Sequence, residues 1–406
     1  MDKIIKLTAE YISGKLSIPS SKSMANRALI LQALFPQAVS ITNLSTADDT
    51  VTLKKLLHSK ENVLNTGHAG TTYRFLTAYL SIQKGREVVL TGSERMKERP
   101  IKPLVEALNT LGASIEYLEK EGYPPLKISG KELTNNKVSI KGDISSQYIS
   151  ALVLIGSKLK NGLEIKIEGE LVSLPYLLMS IQLIKSLGID VIYENNRIII
   201  TPPKQIKEVN FIIEPDWSSA SYWYSFVALV DNAEILLEGY TKDSLQGDAV
   251  LKDIYKDFGV QTTFEKNGVR LSKSKNFKIP KTWEYDFTLC PDIAQTLAVT
   301  CAALNVSANF YGLSTLKIKE TDRLQALKIE LEKFGCEVQI TNDSFLLNKG
   351  INRFINKEIE IETYNDHRMA MAFVPLALYT TLKIKNAEVV SKSYPTFWKD
   401  VDLIFN

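Results

Sequence analysis

Cysteine is scarce in this chain: three in 406 residues, Cys290, Cys301 and Cys336. None has Cys-x-x-Cys spacing and three cannot all pair, so a disulfide framework is excluded and a reduced compartment is implied. Histidine is equally rare, and His58, His68 and His367 are too scattered to share ligand spacing. They give no reason to expect a dedicated metal site. An excess of either charge is also missing, since 49 Lys and Arg offset 46 Asp and Glu to leave a formal +3. Bulk attraction to nucleic acid or to an anionic membrane is therefore not expected. The opening MDKIIKLTAEYISGKL alternates like a strand and lacks the apolar stretch of a signal peptide. No run approaches the ~18 apolar residues of a membrane span, so the expected location is the cytoplasm.

What is present is an ordinary globular composition, 45% apolar and 23% charged, at a length suggesting two or three domains. One unit recurs six times: a polar, small-residue opening followed by an apolar helix ending near Leu. The copies start at Pro19, Gly67, Gly142, Pro215, Pro291 and Asn365, and their leucines are Leu34, Leu80, Leu152, Leu229, Leu304 and Leu378. These are spaced by 46, 72, 77, 75 and 74 residues. Ser, Asp and Asn at the starts are N-cap residues, and the apolar runs predict buried helices. A second, amphipathic helix ends at Gly112, Gly188, Gly259 and Gly335, where glycine supplies the left-handed cap that turns the chain back as a strand. Glu194-Asn195-Asn196 and Glu265-Lys266-Asn267-Gly268 then read as hairpin turns.

Each unit is thus a β-α-β-α-β-β module of ~75 residues, with the first short by about one hairpin. The expected fold is α/β (α+β), two similar domains of three modules each. The expected crossings fall near Pro19-Ser20 and Glu214-Pro215-Asp216. This gives an N-terminal domain of residues 20–213, and a C-terminal domain of 1–19 with 214–406. Helix N-termini attract anions, and eight cations lie at or near the polar openings: Lys22, Arg27, Arg74, Arg99, Lys319, Arg323, Arg368 and Lys392. Such a set suits ligands carrying several phosphate or carboxylate groups, which Arg grips bidentately.

Five segments carry a resemblance. KETDR (319–323), NDHRMAMAF, RMKERPI, GDISSQY and SKSMANRALI together resemble the 5-enolpyruvylshikimate-3-phosphate (EPSP) synthases, in order from about residue 15 to the C-terminus. The resemblance implies two domains of three βαβαββ units forming an inside-out barrel, with the active site in the cleft between them. It implies transfer of the enolpyruvyl group of phosphoenolpyruvate to the 5-hydroxyl of shikimate 3-phosphate, with phosphate released, by a monomer. No cofactor is needed, because phosphoenolpyruvate is itself activated.

Carried over by motif, shikimate 3-phosphate would be held by Lys22, Ser23, Arg27, Ser145, Ser146, Gln147, Ser173, Tyr176, Asp292, Thr315 and Lys319. Phosphoenolpyruvate would be held by Lys22, Gly70, Arg99, Gln147, Arg323, Arg368 and Lys392. The catalytic set would be Lys22, Asp292 as base at the hydroxyl, and Glu320 as acid at the methylene carbon. Gly70 implies sensitivity to glyphosate.

Some positions depart from the family pattern. His68 stands where Asn is usual, Phe75 where Pro is usual, and Thr315 where Asn is frequent. An imidazolium at 68 would add anion affinity near pH 6–7. Two rivals remain in view. One is the sister transferase acting on UDP-N-acetylglucosamine, which depends on a loop cysteine; the other is a non-catalytic anion-binding homologue, which retention of Asp292 and Glu320 argues against.

Overall fold

The computed structural model describes residues 1–352 and 358–405. The chain divides into two compact units, residues 20–213 and residues 1–19 with 214–406.

In the 20–213 unit, strand Val63–Asn65 pairs parallel with Glu87–Thr91. Glu87–Thr91 pairs antiparallel with Leu126–Ser129, which closes a hairpin with Ser114–Tyr117. The same order returns in Lys137–Lys141, Leu163–Glu168, Arg197–Thr201 and Asp190–Glu194. A parallel crossover needs an intervening helix, and the buried helices Gly70–Ser81 and Ser146–Gly156 supply it. The third sheet has only two strands, Val39–Thr42 parallel to Val209–Ile212. The first module goes from helix Asp48–His58 directly to Val63, which is the missing hairpin.

The other unit repeats the pattern twice. Tyr11–Leu16 runs parallel to Asn232–Glu238, which continues antiparallel to Gly268–Lys273 and Val260–Glu265. Thr282–Asp286, Ser307–Tyr311, Phe345–Lys349 and Glu337–Ile340 follow the same order. The last sheet combines Ile359–Ile361, Leu382–Ile384 and the N-terminal Lys3–Ile5. In Asn232–Glu238, Ala233, Ile235 and Leu237 are buried in strict alternation, the period of a strand with one face on a core.

The apolar helices are buried as their composition demands. Trp217–Leu229 and Ala294–Leu304 are apolar around most of their circumference. Their buried hydroxyls satisfy one another: Thr300 donates to Ser225 at 2.8 Å, and Ser221 lies 3.0 Å from Thr296. The sixth helix departs from a plain α-helix. It ends at Phe373 and continues as 3₁₀ over Val374–Leu378, because Pro375 lacks the N–H that would continue the ladder. The helix before Gly259 is also reduced, to Leu251–Ile254 flanked by 3₁₀ turns. The four expected cap glycines all have left-handed φ, between 77° and 103°.

Candidate active site

In the unit of residues 1–19 and 214–406, charged groups converge on one arginine. Asp322 caps helix Arg323–Glu332 by accepting from the Gln325 N–H at 3.1 Å. Arg323, the first residue of that helix, has a side chain only 2% exposed. Its Nε donates to Asp366 Oδ2 (2.6 Å), Nη1 to Asp292 Oδ1 (2.9 Å) and Nη2 to Glu320 Oε2 (2.9 Å).

Three further cations complete the cluster. Lys392 Nζ lies 2.9 Å from Glu320 Oε1, Arg368 Nη2 3.2 Å from Asp292 Oδ2, and Lys319 Nζ 3.6 Å from Asp292 Oδ1. Asp366 also accepts from the Arg368 N–H at 2.9 Å as the N-cap of helix His367–Phe373. Two consecutive left-handed residues, Tyr364 and Asn365, lead into that cap.

Electrostatics follow from this packing. Burial pushes the Asp292 carboxyl up, but Arg368, Lys319 and Arg323 overcome it and hold the group well below the usual carboxylate range. Burial also lowers the Lys319 ammonium; Asp292 opposes that shift while Arg323 adds to it. Burial disfavours the Arg323 charge, yet Asp366, Glu320 and Asp292 hold its pKa above the ordinary value. Thr315, in the 3₁₀ segment Ser314–Ile318, has a buried Oγ1 without a hydrogen-bond partner among the described residues.

The 20–213 unit holds a second constellation. Arg27 is buried in helix Lys22–Leu34 and donates to Ser180 Oγ (2.7 Å), Ser23 O (2.8 Å) and Ser150 Oγ (3.2 Å). Its guanidinium lies 5.3 Å from the Phe75 ring centroid and 5.9 Å from that of Tyr176. No carboxylate stands within ion-pair distance of Arg27 among the described residues. Burial lowers its pKa to about 10. Lys22 Nζ sits 3.2 Å from Asp49 Oδ2.

Ser145 caps helix Ser146–Gly156 by accepting from the Gln147 N–H at 3.3 Å. Gln147 Oε1 accepts from Arg74 Nη1 at 2.7 Å. Ser173 occupies the N-cap of Leu174–Ser186 at φ 56°, ψ 41°, a conformation that costs a non-glycine residue ~1–3 kcal/mol. Gly70 opens helix Gly70–Ser81, and a Cβ there would come within 2.6 Å of Arg99 Nη1. His68 Nδ1 lies 2.9 Å from Ser93 Oγ, and Ser93 is the N-cap of Glu94–Lys97.

Within each unit, then, most of the residues singled out in the sequence come together. Lys319, Glu320, Arg323, Arg368, Lys392 and Asp292 form one network; Ser23, Arg27 and Tyr176 form another; Gly70 and Arg99 touch. Gln147 pairs with Arg74, for which the resemblance implies no ligand role. Asp366, Asp49, Ser150 and Ser180 were not singled out. Asp366 could have been, because it lies inside NDHR. The others carry no local signal, since their partners are distant in sequence.

Known proteins resemble this chain along its whole length. The EPSP synthase (3-phosphoshikimate 1-carboxyvinyltransferase) family model matches residues 7–59 and 52–401. An EPSP synthase structure from Acinetobacter baumannii superposes with TM-score 0.77 at 21% identity, covering 100% of this chain and 98% of that one. The enolpyruvyl transferase NikO from Streptomyces tendae gives TM-score 0.76 at 13% identity, over 99% and 97% of the two chains. The fold is therefore that of the enolpyruvyl transferases.

Among curated relatives, the 3-phosphoshikimate 1-carboxyvinyltransferase of Bacteroides fragilis (strain YCH46) is 46% identical over 96% of this chain and 95% of its own. The protein of the same name from Sulfurovum sp. (strain NBC37-1) is 35% identical over 100% and 99%. This chain belongs to the EPSP synthase family.

Proposed function

We propose that this protein transfers the enolpyruvyl group of phosphoenolpyruvate to the 5-hydroxyl of shikimate 3-phosphate, as in aromatic amino-acid biosynthesis. The observation that carries the reading is the buried network in which Asp292 and Glu320 are held by Lys319, Arg323, Arg368 and Lys392. Two carboxylates anchored among four cations provide proton carriers and anion ligands in one place.

In the proposed reaction Asp292 accepts the proton of the 5-hydroxyl as its oxygen bonds to C2 of phosphoenolpyruvate. Glu320 delivers a proton to C3, giving a tetrahedral intermediate. C3 then returns a proton to Glu320, the C2–O bond to phosphate breaks, and phosphate leaves carrying the proton that Asp292 had taken from the hydroxyl, which restores both acids. The cations neutralise charge on the carboxylate and phosphate throughout. Without ligand, Asp292, Glu320 and Asp366 supply that neutralisation, so substrate binding is an exchange of ion pairs.

Shikimate 3-phosphate is bound by Lys22, Ser23, Arg27, Ser145, Ser146, Gln147, Ser173, Tyr176, Asp292, Thr315 and Lys319. The pairing of Arg27 with neutral oxygens and ring faces supports its place in this set, since a buried guanidinium so surrounded favours an incoming anion. Phosphoenolpyruvate is bound by Lys22, Gly70, Arg99, Gln147, Arg323, Arg368 and Lys392, and glyphosate competes there. The protein works as a cytoplasmic monomer on these two small molecules.

The UDP-N-acetylglucosamine reading is less well supported. All three cysteines are buried, and burial raises the Cys290 thiol, the one preceding Asp292, far above its usual range. A phosphate-release assay decides the matter. Release with phosphoenolpyruvate plus shikimate 3-phosphate is expected. Release only with UDP-N-acetylglucosamine, or binding without turnover, overturns the reading.

A further inference from the structure

Behind the carboxylate network, in the same unit, lies a buried acid that has no place in the scheme above. Asp248 belongs to the one-turn 3₁₀ segment Gly247–Val250 and is 3% exposed. Ser218 Oγ donates to Asp248 Oδ2, and Arg368 Nη2 donates to Ser218 Oγ at 3.3 Å. The same Arg368 nitrogen lies 3.2 Å from Asp292 Oδ2. One guanidinium nitrogen therefore joins two acids, Asp292 directly and Asp248 through a single hydroxyl.

The segment carrying Asp248 is tightly held. Gln246 Oε1 accepts from the Trp217 N–H at 3.0 Å, and Gln246 Nε2 donates to Glu214 Oε2 (3.0 Å) and Pro215 O (2.8 Å). Asp248 Oδ1 is buried with no hydrogen-bond partner among the described residues. Buried carboxylates that serve packing alone normally have both oxygens satisfied.

We propose that Asp248 is a positioning residue for the transfer reaction: acting through Ser218, it fixes Arg368 against Asp292 and sets the basicity of Asp292. The proposal rests on Asp292 being the base. Ser218 has one O–H, and donating it to Asp248 leaves only lone pairs toward Arg368, which fixes the direction of that contact. When Asp248 is ionised, Arg368 divides its charge between two carboxylates and Asp292 becomes the stronger base. When Asp248 is protonated, Arg368 compensates Asp292 more fully and the base weakens.

The groups facing Asp248 come from three helices. They are Asp216 and Ser218 at the start of Trp217–Leu229, Cys290 and Asp292 before Ala294–Leu304, and Arg368 in His367–Phe373. Burial and Asp292 raise the Asp248 pKa to about 7, while Arg368 and Ser218 oppose the rise. Its charge therefore changes near neutral pH.

The test is kcat and both KM values from pH 5.5 to 9 for wild type, Asp248→Asn and Ser218→Ala. Asn keeps an acceptor for Ser218 without the charge. Expected is a wild-type kcat that rises through about pH 7, and an Asp248→Asn kcat about tenfold lower above it, equivalent to one unit of base strength. The two profiles should converge at pH 5.5, with KM values within about twofold of wild type. Ser218→Ala should lose the same limb, which keeps the test decisive if Asp248→Asn fails to fold. Profiles parallel to wild type at every pH, for whichever variants fold, overturn the proposal, because a purely structural role lowers kcat uniformly. Absence of wild-type turnover instead defeats the underlying reading of the reaction, an outcome distinct from parallel profiles.

Discussion

Arg27 and Phe75 show how one side chain can substitute for a missing charge. The Phe75 ring, 5.3 Å from the buried guanidinium, offers a negative π face where no carboxylate stands among the described residues. Replacing it by Leu in Phe75→Leu removes an attraction of roughly 0.5–2 kcal/mol. The KM for shikimate 3-phosphate is expected to rise about 2- to 30-fold in steady-state kinetics. Gly70 works by absence of a side chain. Gly70→Ala places a Cβ 2.6–2.9 Å from three Arg99 guanidinium atoms, so the guanidinium must move. The KM for phosphoenolpyruvate should rise about tenfold or more, a loss of ~1.4 kcal/mol, with the other substrate's KM little changed.

The buried acids pull stability in opposite directions with pH. Asp248 is raised to about 7, so between about pH 4 and 7 the folded state holds a proton that the unfolded state has lost. Its contribution is full below the unfolded pKa and falls as pH rises to 7. Asp292 is depressed, so its contribution is present at neutral pH and disappears only on acidification below about pH 4. Urea titrations should therefore show Asp248→Asn gaining on wild type by on the order of 2–4 kcal/mol at pH 8, and by much less at pH 5.

At the scale of elements, the glycine caps separate backbone strain from crowding. Gly335 and Gly259 have nearly equal φ, 79° and 77°, but different surroundings. A Cβ at 335 meets only Asn352 Cβ at 3.5 Å, whereas one at 259 meets the Phe277 ring at 2.9 Å. Gly335→Ala should cost about 1–2 kcal/mol from the left-handed conformation alone. Gly259→Ala should cost at least 1 kcal/mol more from overpacking, both read from denaturation midpoints.

These caps, the six apolar runs and the hairpin turn at Asn195-Asn196 (φ 48° and 57°) were legible because each depends on residues adjacent in the chain. The shortened helix before Gly259 was not. Gly247 and the 3₁₀ turns around Leu251–Ile254 answer to packing against Trp217–Leu229, which the local pattern does not encode.

For the whole molecule, the chain order of the strands makes a specific prediction. Residues 20–213 are continuous and contain all strands of their three sheets. The other unit takes Lys3–Ile5 and Tyr11–Leu16 from the N-terminus to pair with Leu382–Ile384 and Asn232–Glu238. A 20–213 fragment should give a dispersed NMR spectrum and a cooperative thermal transition. A 214–406 fragment should lack both and recover them on addition of a 1–19 peptide, because two sheets otherwise keep unpaired edges.

The sequence by itself determined the period, the six buried helices and the short first module, since periodicity and capping are properties of neighbouring residues. Only the tertiary structure decided that Arg323 joins three carboxylates, that Arg27 stands among neutral oxygens and rings, and that Asp248 lies one hydroxyl from Arg368. Those arrangements depend on distance in space and on burial. Residues 150 and 180 meet residue 27, and residues 218 and 248 meet residue 368, through packing that no local pattern records.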